Sequence, residues 1–216
     1  MGRPGKRIRD PQRTRARILR AAEKLFSKHG FAGASMRDIA RVSKVSQALL
    51  HHHFNSKREL YAAVREHAIE ESKTNQESVF QSDRGSAERL IEAIRARFAF
   101  DQDNPALRRL GTWARLEGDD SLWKGEAELL REICEHVREA QDSREVRKDV
   151  VPFFLAAMVI GLVRHWCDNR ELYERALAEV SDLTVPDAHD EDLDEAYLEQ
   201  VIEVLKRGVA GPRAKV

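Results

Sequence analysis

The chain has 216 residues, 42% hydrophobic and 34% charged, with 37 basic side chains balancing 37 acidic ones. That length supports one large or two small domains with a buried core, and leucine, isoleucine, valine, phenylalanine and alanine recur too often for a mostly disordered chain. The longest uncharged run, Val150 to Val163, is 14 residues and contains Pro152, short of the roughly 20 that a membrane span requires. The basic start MGRPGKRIRD has no apolar stretch behind it, so no secretory leader is expected. Cys134 and Cys167 fit neither a disulfide framework nor a CxxC zinc pattern, and the expectation is a cytoplasmic protein. The neutral total hides an asymmetry. Residues 1–60 carry 15 Lys and Arg against 4 Asp and Glu, and the remaining 156 carry 22 against 33. A basic segment joined to an acidic one points to a polyanion partner at one end, or to two merely solvated faces.

Taken in order, the chain reads as helix after helix. Ile18, Ala21, Ala22, Leu25 and Phe26 form one helical stripe that Gly30 stops. Ser35 opens a short second helix, with Asp38 placed to complete a capping box and Met36, Ile39 and Ala40 as its apolar face. Ser46 is the N-cap of a third helix that runs to about Phe54, with Leu50 in the core. Three helices in some 40 residues, the second and third joined by a tight turn, make a helix-turn-helix domain. A fourth helix starts after Ser56 with Leu60, Val64 and Ala68. A fifth follows Gly85 and Ser86, and a sixth starts at Asn104-Pro105 and ends near Gly118. The seventh carries Leu129, Leu130, Ile133, Cys134 and Val137. The eighth runs from about Pro152 past Cys167 and is apolar on nearly every face, and the ninth carries Leu198, Val201, Ile202 and Leu205 after the acidic stretch from Asp187 to Glu195. No alternation of period two appears, so the fold class is all-α. The division is a basic tail (1–12), the helix-turn-helix domain (13–56), a larger helical domain (57–210) and a C-terminal tail (211–216).

Residues 14–64, TRARILRAAEKLFSKHGFAGASMRDIARVSKVSQALLHHHFNSKRELYAAV, resemble the DNA-binding domain of the TetR family of transcriptional regulators. The resemblance rests on the first-helix stripe with its Phe-x-x-x-Gly end, on MRDIA, and on VSxxxLxxHF followed by xSKxxL. Two positions depart from it: Lys44 stands where the turn usually has glycine, and His51 where the recognition helix commonly has tyrosine. The rest of the chain matches in helix pattern and length.

The physical reading of the site agrees. A recognition helix enters the major groove with its N-terminal residues facing base edges, and the positions free of core duty are Gln47, Ala48, Leu49, His51 and His52. Gln47 suits adenine bidentately, and Ala48 or Leu49 a thymine methyl. Thr14, Ser35, Arg37, Ser46, His53 and Lys57 suit phosphates, with Ser35 and Ser46 reading equally as plain caps. The tail residues Arg3, Lys6, Arg7, Arg9, Arg13, Arg15 and Arg17 either serve solubility alone or offer supplementary contacts to the DNA backbone. His51, His52 and His53 are consecutive, so they point about 100° apart and do not converge on one ion. No metal and no cofactor is expected.

For the larger domain the resemblance implies dimerisation through the eighth and ninth helices, in a four-helix bundle with their symmetry mates, and an effector pocket among helices four to eight. The interface candidates are Val159, Val163, Trp166, Leu198, Val201, Ile202 and Leu205. The pocket candidates are Phe98, Trp113, Trp123, His136, Phe154, Met158, His165 and Trp166, each of which reads equally as ordinary core. The implied function is a dimeric repressor that leaves a palindromic double-stranded operator on binding a small, mostly apolar effector. A helical DNA-binding adaptor without effector competes with this. An α-helical enzyme competes poorly, for the chain has no GxSxG elbow, P-loop, HExxH or GxGxxG.

Overall fold

The computed structural model describes residues 10–180 and 193–212. Within them the chain forms nine helices: α1 (Pro11–Gly33), α2 (Met36–Ser43), α3 (Gln47–His53), α4 (Lys57–Phe80), α5 (Ser86–Asp103), α6 (Pro105–Leu116), α7 (Glu126–Asp142), α8 (Pro152–Glu179) and α9 (Leu193–Val209). Extended pairing among the described residues is confined to one antiparallel bridge, Val146 with Ala210. The fold is all-α, and no described helix is long and apolar enough to cross a membrane. Arg3, Lys6, Arg7, Arg9 and the acidic stretch before Leu193 lie outside the described residues.

Two compact units divide the chain: residues 1–68 with 106–124, and residues 69–105 with 125–216. The division does not follow the segments 13–56 and 57–210, because α6 groups with the N-terminal helices.

In the first unit, α1 begins as its sequence dictates. The Asp10 carboxylate accepts from the amides of Gln12 and Arg13, and Pro11 occupies the first helical position, where its missing N–H costs nothing. The core joins Ile18, Ala22 and Phe26 of α1 to Ile39, Leu50, Phe54, Leu60 and Leu110. Leu110 comes from α6 and is fully buried, so α6 completes this core. Gly30 interrupts α1 at φ 71°. The fresh turn that follows presents the Phe31 and Ala32 amides to the Glu117 carboxylate at 2.9 and 2.8 Å, an acceptor for donors that a helix start leaves unpaired. Arg65, almost wholly buried, donates to Asp119 Oδ2 at 2.5 Å and to the Ser121 carbonyl at 2.8 Å. Its guanidinium also lies over Trp123, 4.8 Å from the ring centroid, and so holds the segment after α6.

The second unit packs α5, α8 and α9 around Phe98, Val163, Trp166, Leu198 and Ile202, with α7 against α5 and α8. Trp166 stacks on Tyr197 with centroids 4.1 Å apart, and its indole N–H donates to Asp194 at 2.7 Å. The chain beyond α9 is tied to the α7–α8 connection by Arg147 N to Val209 O at 3.0 Å and Gly211 N to Glu145 O at 2.8 Å. A Cβ on Gly211 would meet the Arg144 carbonyl at 2.4 Å, so this approach requires glycine.

Candidate nucleic-acid interface and effector cavity

Helices α2 and α3 meet at a turn whose geometry the sequence does not advertise. Lys44 adopts the left-handed conformation, φ 54° and ψ 43°, which glycine reaches at no steric cost and lysine does not. Arg17 offsets that cost: its guanidinium donates to the Ser43 carbonyl at 3.0 and 3.2 Å and to the Lys44 carbonyl at 3.1 Å. Arg17, read from sequence as part of a DNA-reaching tail, grips the turn instead. Arg15 lies over the Phe54 ring at 5.2 Å, while Arg13 is exposed. We expect Lys44→Gly to raise stability by about 0.5–1 kcal/mol and Arg17→Ala to lower it by about 1 kcal/mol or more in urea titrations. Loss of stability in Lys44→Gly would contradict this account of the turn.

Both short helices are capped by the serines expected to cap them. Ser35 Oγ accepts from the Asp38 amide at 3.1 Å and donates to the Asp38 carboxylate at 2.6 Å. That hydroxyl, followed by Arg41, holds the Asp38 carboxyl below its ordinary range. Ser46 Oγ accepts from the Leu49 amide at 3.1 Å. On α3 the residues Gln47, Ala48, His51 and His52 are exposed and Leu49 and His53 half-buried, while Leu50 is fully buried. The helix thus anchors through one leucine and displays the rest. Burial, with His52 and Arg15 adding repulsion, holds His53 below the ordinary imidazole range. Ser46 and Arg37 are exposed, and Thr14 and Ser35 half-buried. Lys57 also braces the start of α4 against the end of α1, its ammonium donating to the Ala32 carbonyl at 3.2 Å and sitting 4.5 Å from the Phe31 ring centroid. Among the described residues no group of three His, Cys, Asp or Glu is placed to hold a metal.

The second unit contains a cavity of about 760 Å³. Gln76 and Phe80 of α4, Leu90, Ile91, Ile94 and Arg97 of α5, and Ile133 and Val137 of α7 form part of its wall. Leu155, Ala156, Val159 and Ile160 of α8 and Ile202, Glu203, Leu205, Lys206 and Arg207 of α9 also line it, with Glu88 of α5 and with Glu145, Val146 and Ala210.

None of the eight pocket candidates read from sequence lines this cavity. Trp113 packs beside Gly30 and Trp123 beside Arg65, both in the first unit. Phe98 and Trp166 are core of the second. His165 bonds the Tyr173 hydroxyl at 2.6 Å. His136 stacks on the lining residue Phe80, ring centroids 3.8 Å apart. Phe154 and Met158 point the other way, 61% and 53% exposed. The interface candidates are displaced in the opposite sense. Val163, Trp166, Leu198, Val201 and Ile202 are buried within the protomer, and Val159, Ile202 and Leu205 line the cavity. The apolar side chains left exposed on α8 and α9 are Phe153, Phe154, Met158, Leu162, Leu172 and Val204. The cause is α8 itself: a helix apolar all round gives no phase from which to tell core from outer face.

A helix-turn-helix head with a displayed recognition helix, in a chain whose other unit is a helical bundle around a cavity, defines a DNA-binding regulator. The family profile described as "Bacterial regulatory proteins, tetR family" matches residues 18–64, and "Tetracyclin repressor-like, C-terminal domain" matches residues 90–196, together more than half of the chain. The HTH-type transcriptional repressor SCO4008 of Streptomyces coelicolor is 29% identical over 157 residues, 69% of this chain and 78% of that protein. The crystal structure of the transcriptional regulator SCO4942, also from Streptomyces coelicolor, aligns at TM-score 0.69 and 25% identity, covering 92% of this chain and 99% of that one. AibR, solved with isovaleryl coenzyme A and operator DNA, shares the fold at TM-score 0.64 and 19% identity over 88% of this chain and 97% of its own. The chain belongs to the TetR family. It is a DNA-binding transcriptional regulator and not an enzyme.

Proposed function

We propose that the protein is a homodimeric cytoplasmic repressor that leaves its palindromic operator when a small, mostly apolar molecule enters the cavity of the second unit. The cavity carries this reading: about 760 Å³ lined mainly by aliphatic side chains is the size and chemistry of a small-molecule site, whereas a filled core would favour an adaptor without effector. The SCO4008 relative is named a repressor, and AibR was solved with both a small molecule and operator DNA; both support the same reading here. Residues 13–56 form the DNA-binding segment, completed by 57–68 and 106–124 of the same unit, and the sensing and dimerising residues lie in the remainder of 57–210. Gln47, Ala48, Leu49, His51 and His52 face bases, while Thr14, Ser35, Arg37, Ser46, His53 and Lys57 face phosphates. The dimer forms through the exposed α8 and α9 residues Phe154, Met158, Leu162, Leu172 and Val204, so that two recognition helices sit about one DNA turn apart.

Two measurements test this. A thermal-shift screen followed by operator-release assays should find molecules that raise the melting temperature and lower DNA affinity together, as linkage requires; stabilisation with operator binding unchanged would leave a pocket without a switch. Gln47→Ala should relax the preference at one base pair by about 1–3 kcal/mol, and a loss uniform across operator sequences would contradict base reading by Gln47.

A further inference from the structure

We propose that the effector is an uncharged molecule, an apolar skeleton bearing a neutral hydrogen-bonding group that docks on the Gln76 amide. This rests on the effector-sensing reading above and narrows it to a chemical class.

The charges on the cavity wall are already spoken for. Arg97 is the arginine that an anionic ligand would need, but its charge is already balanced by Asp101, which takes one edge of the guanidinium: Nε donates to Oδ2 at 3.0 Å and Nη2 to Oδ1 at 3.2 Å. Asp101 is itself buried, so drawing Arg97 toward a ligand carboxylate breaks a buried ion pair. Glu145 is committed as well: it accepts the Ala87 amide at 2.8 Å at the N-terminus of α5, where the helix dipole favours a carboxylate. Glu203 pairs with Arg207 at 2.7 Å, and Glu88 lies 3.9 Å from Arg84. Lys206 is exposed in the last turn of α9, where Glu199 shares its field. Each charge on the wall has a protein counterpart or solvent, and a charged ligand finds no complement inside.

Gln76 differs. It is buried, lines the cavity and carries no net charge, and an amide offers two donors and a two-lone-pair acceptor. Around it are Phe80, Leu90, Ile94, Ile133 and Val137. A carbonyl, hydroxyl or amide meets Gln76 without an ionic penalty, whereas a carboxylate or ammonium loses its hydration without repayment.

The test uses matched probe sets: straight-chain, cyclic and aromatic skeletons, each prepared as carboxamide, carboxylate, amine and plain hydrocarbon. Binding is measured by calorimetry at neutral pH, and operator release by fluorescence anisotropy. At least one carboxamide should bind and release operator, at roughly tenfold or greater preference over its carboxylate and amine. Gln76→Leu, an apolar replacement of similar volume, should weaken carboxamides by about tenfold and leave the hydrocarbon unchanged. A carboxylate or amine that binds as well as its amide overturns the neutral class but leaves effector sensing standing. Unchanged amide affinity in Gln76→Leu removes the anchor. If no member of any set binds the wild-type protein, effector sensing through this cavity falls with it.

Discussion

Met158→Glu should give a folded monomer, with operator affinity reduced by about 10²–10⁴-fold. Met158 projects from α8 between Phe154 and Leu162, one helical turn away on either side, and all three are exposed in the protomer. Ala157 and Gly161, also exposed, add little bulk against an approaching helix. A carboxylate here costs the isolated protomer little because water reaches it. In a two-fold interface the same substitution appears twice and faces its own copy, leaving unpaired charges removed from solvent. DNA affinity falls because the second half-site is no longer bound intramolecularly. Light scattering gives the mass and circular dichroism the helicity. A persistent dimer would refute the assigned face. Val163→Glu is the contrast, since Val163 is buried in the protomer core and its replacement should unfold the chain.

The second large effect is expected at Gly30→Ala, a loss of about 2–4 kcal/mol. Two causes add. The φ of 71° disfavours any Cβ, and that Cβ would stand 2.6 Å from Glu117 Oε1 and 2.8 Å from the Trp113 ring. Glu117 cannot swing aside freely, because its carboxylate holds the Phe31 and Ala32 amides. Gly118 separates the two causes, with φ 74° and open space around its would-be Cβ. Gly118→Ala should therefore cost only the backbone part, about 1 kcal/mol, in the same denaturant titration. Equal losses at the two glycines would mean that the Trp113 and Glu117 packing contributes nothing.

What the sequence made legible and what it hid have a common physical cause. The helices and their caps at Asp38, Ser35 and Ser46 depend on residues three or four apart, and such local relations can be read directly. The exposed face of α3 followed for the same reason: Leu50 alone is needed by the core, so its neighbours are free. Arg17 on the Ser43 carbonyl, Glu117 on the Phe31 amide and Arg65 on Asp119 join residues 26, 86 and 54 positions apart, and no spacing rule announces them. The cavity was hidden for a different reason. Size and aromaticity nominated Trp113, Trp123 and Trp166, but large rings fill space, so they sit in cores, whereas the void is bordered by the aliphatic side chains of Leu90, Ile94, Val137, Leu155 and Val159. Arg97 borders the same void, and its pairing with Asp101 one turn away is a short-range relation of the legible kind.

The placement of Leu110 bears on exchanging parts between relatives. A DNA-reading head cut at the end of the helix-turn-helix, or even at Ala68, would leave behind the side chain that fills the centre of its own core, the carboxylate that seats its kinked first helix, and the Asp119 clamp on Arg65. A chimera that transplants specificity therefore has to carry two stretches, residues 1–68 and 106–124, and receive the intervening 69–105 from the host. The chain must leave this head, build α5 and return before the head is complete. Its folding consequently waits on a loop closure that a contiguous three-helix domain would not need.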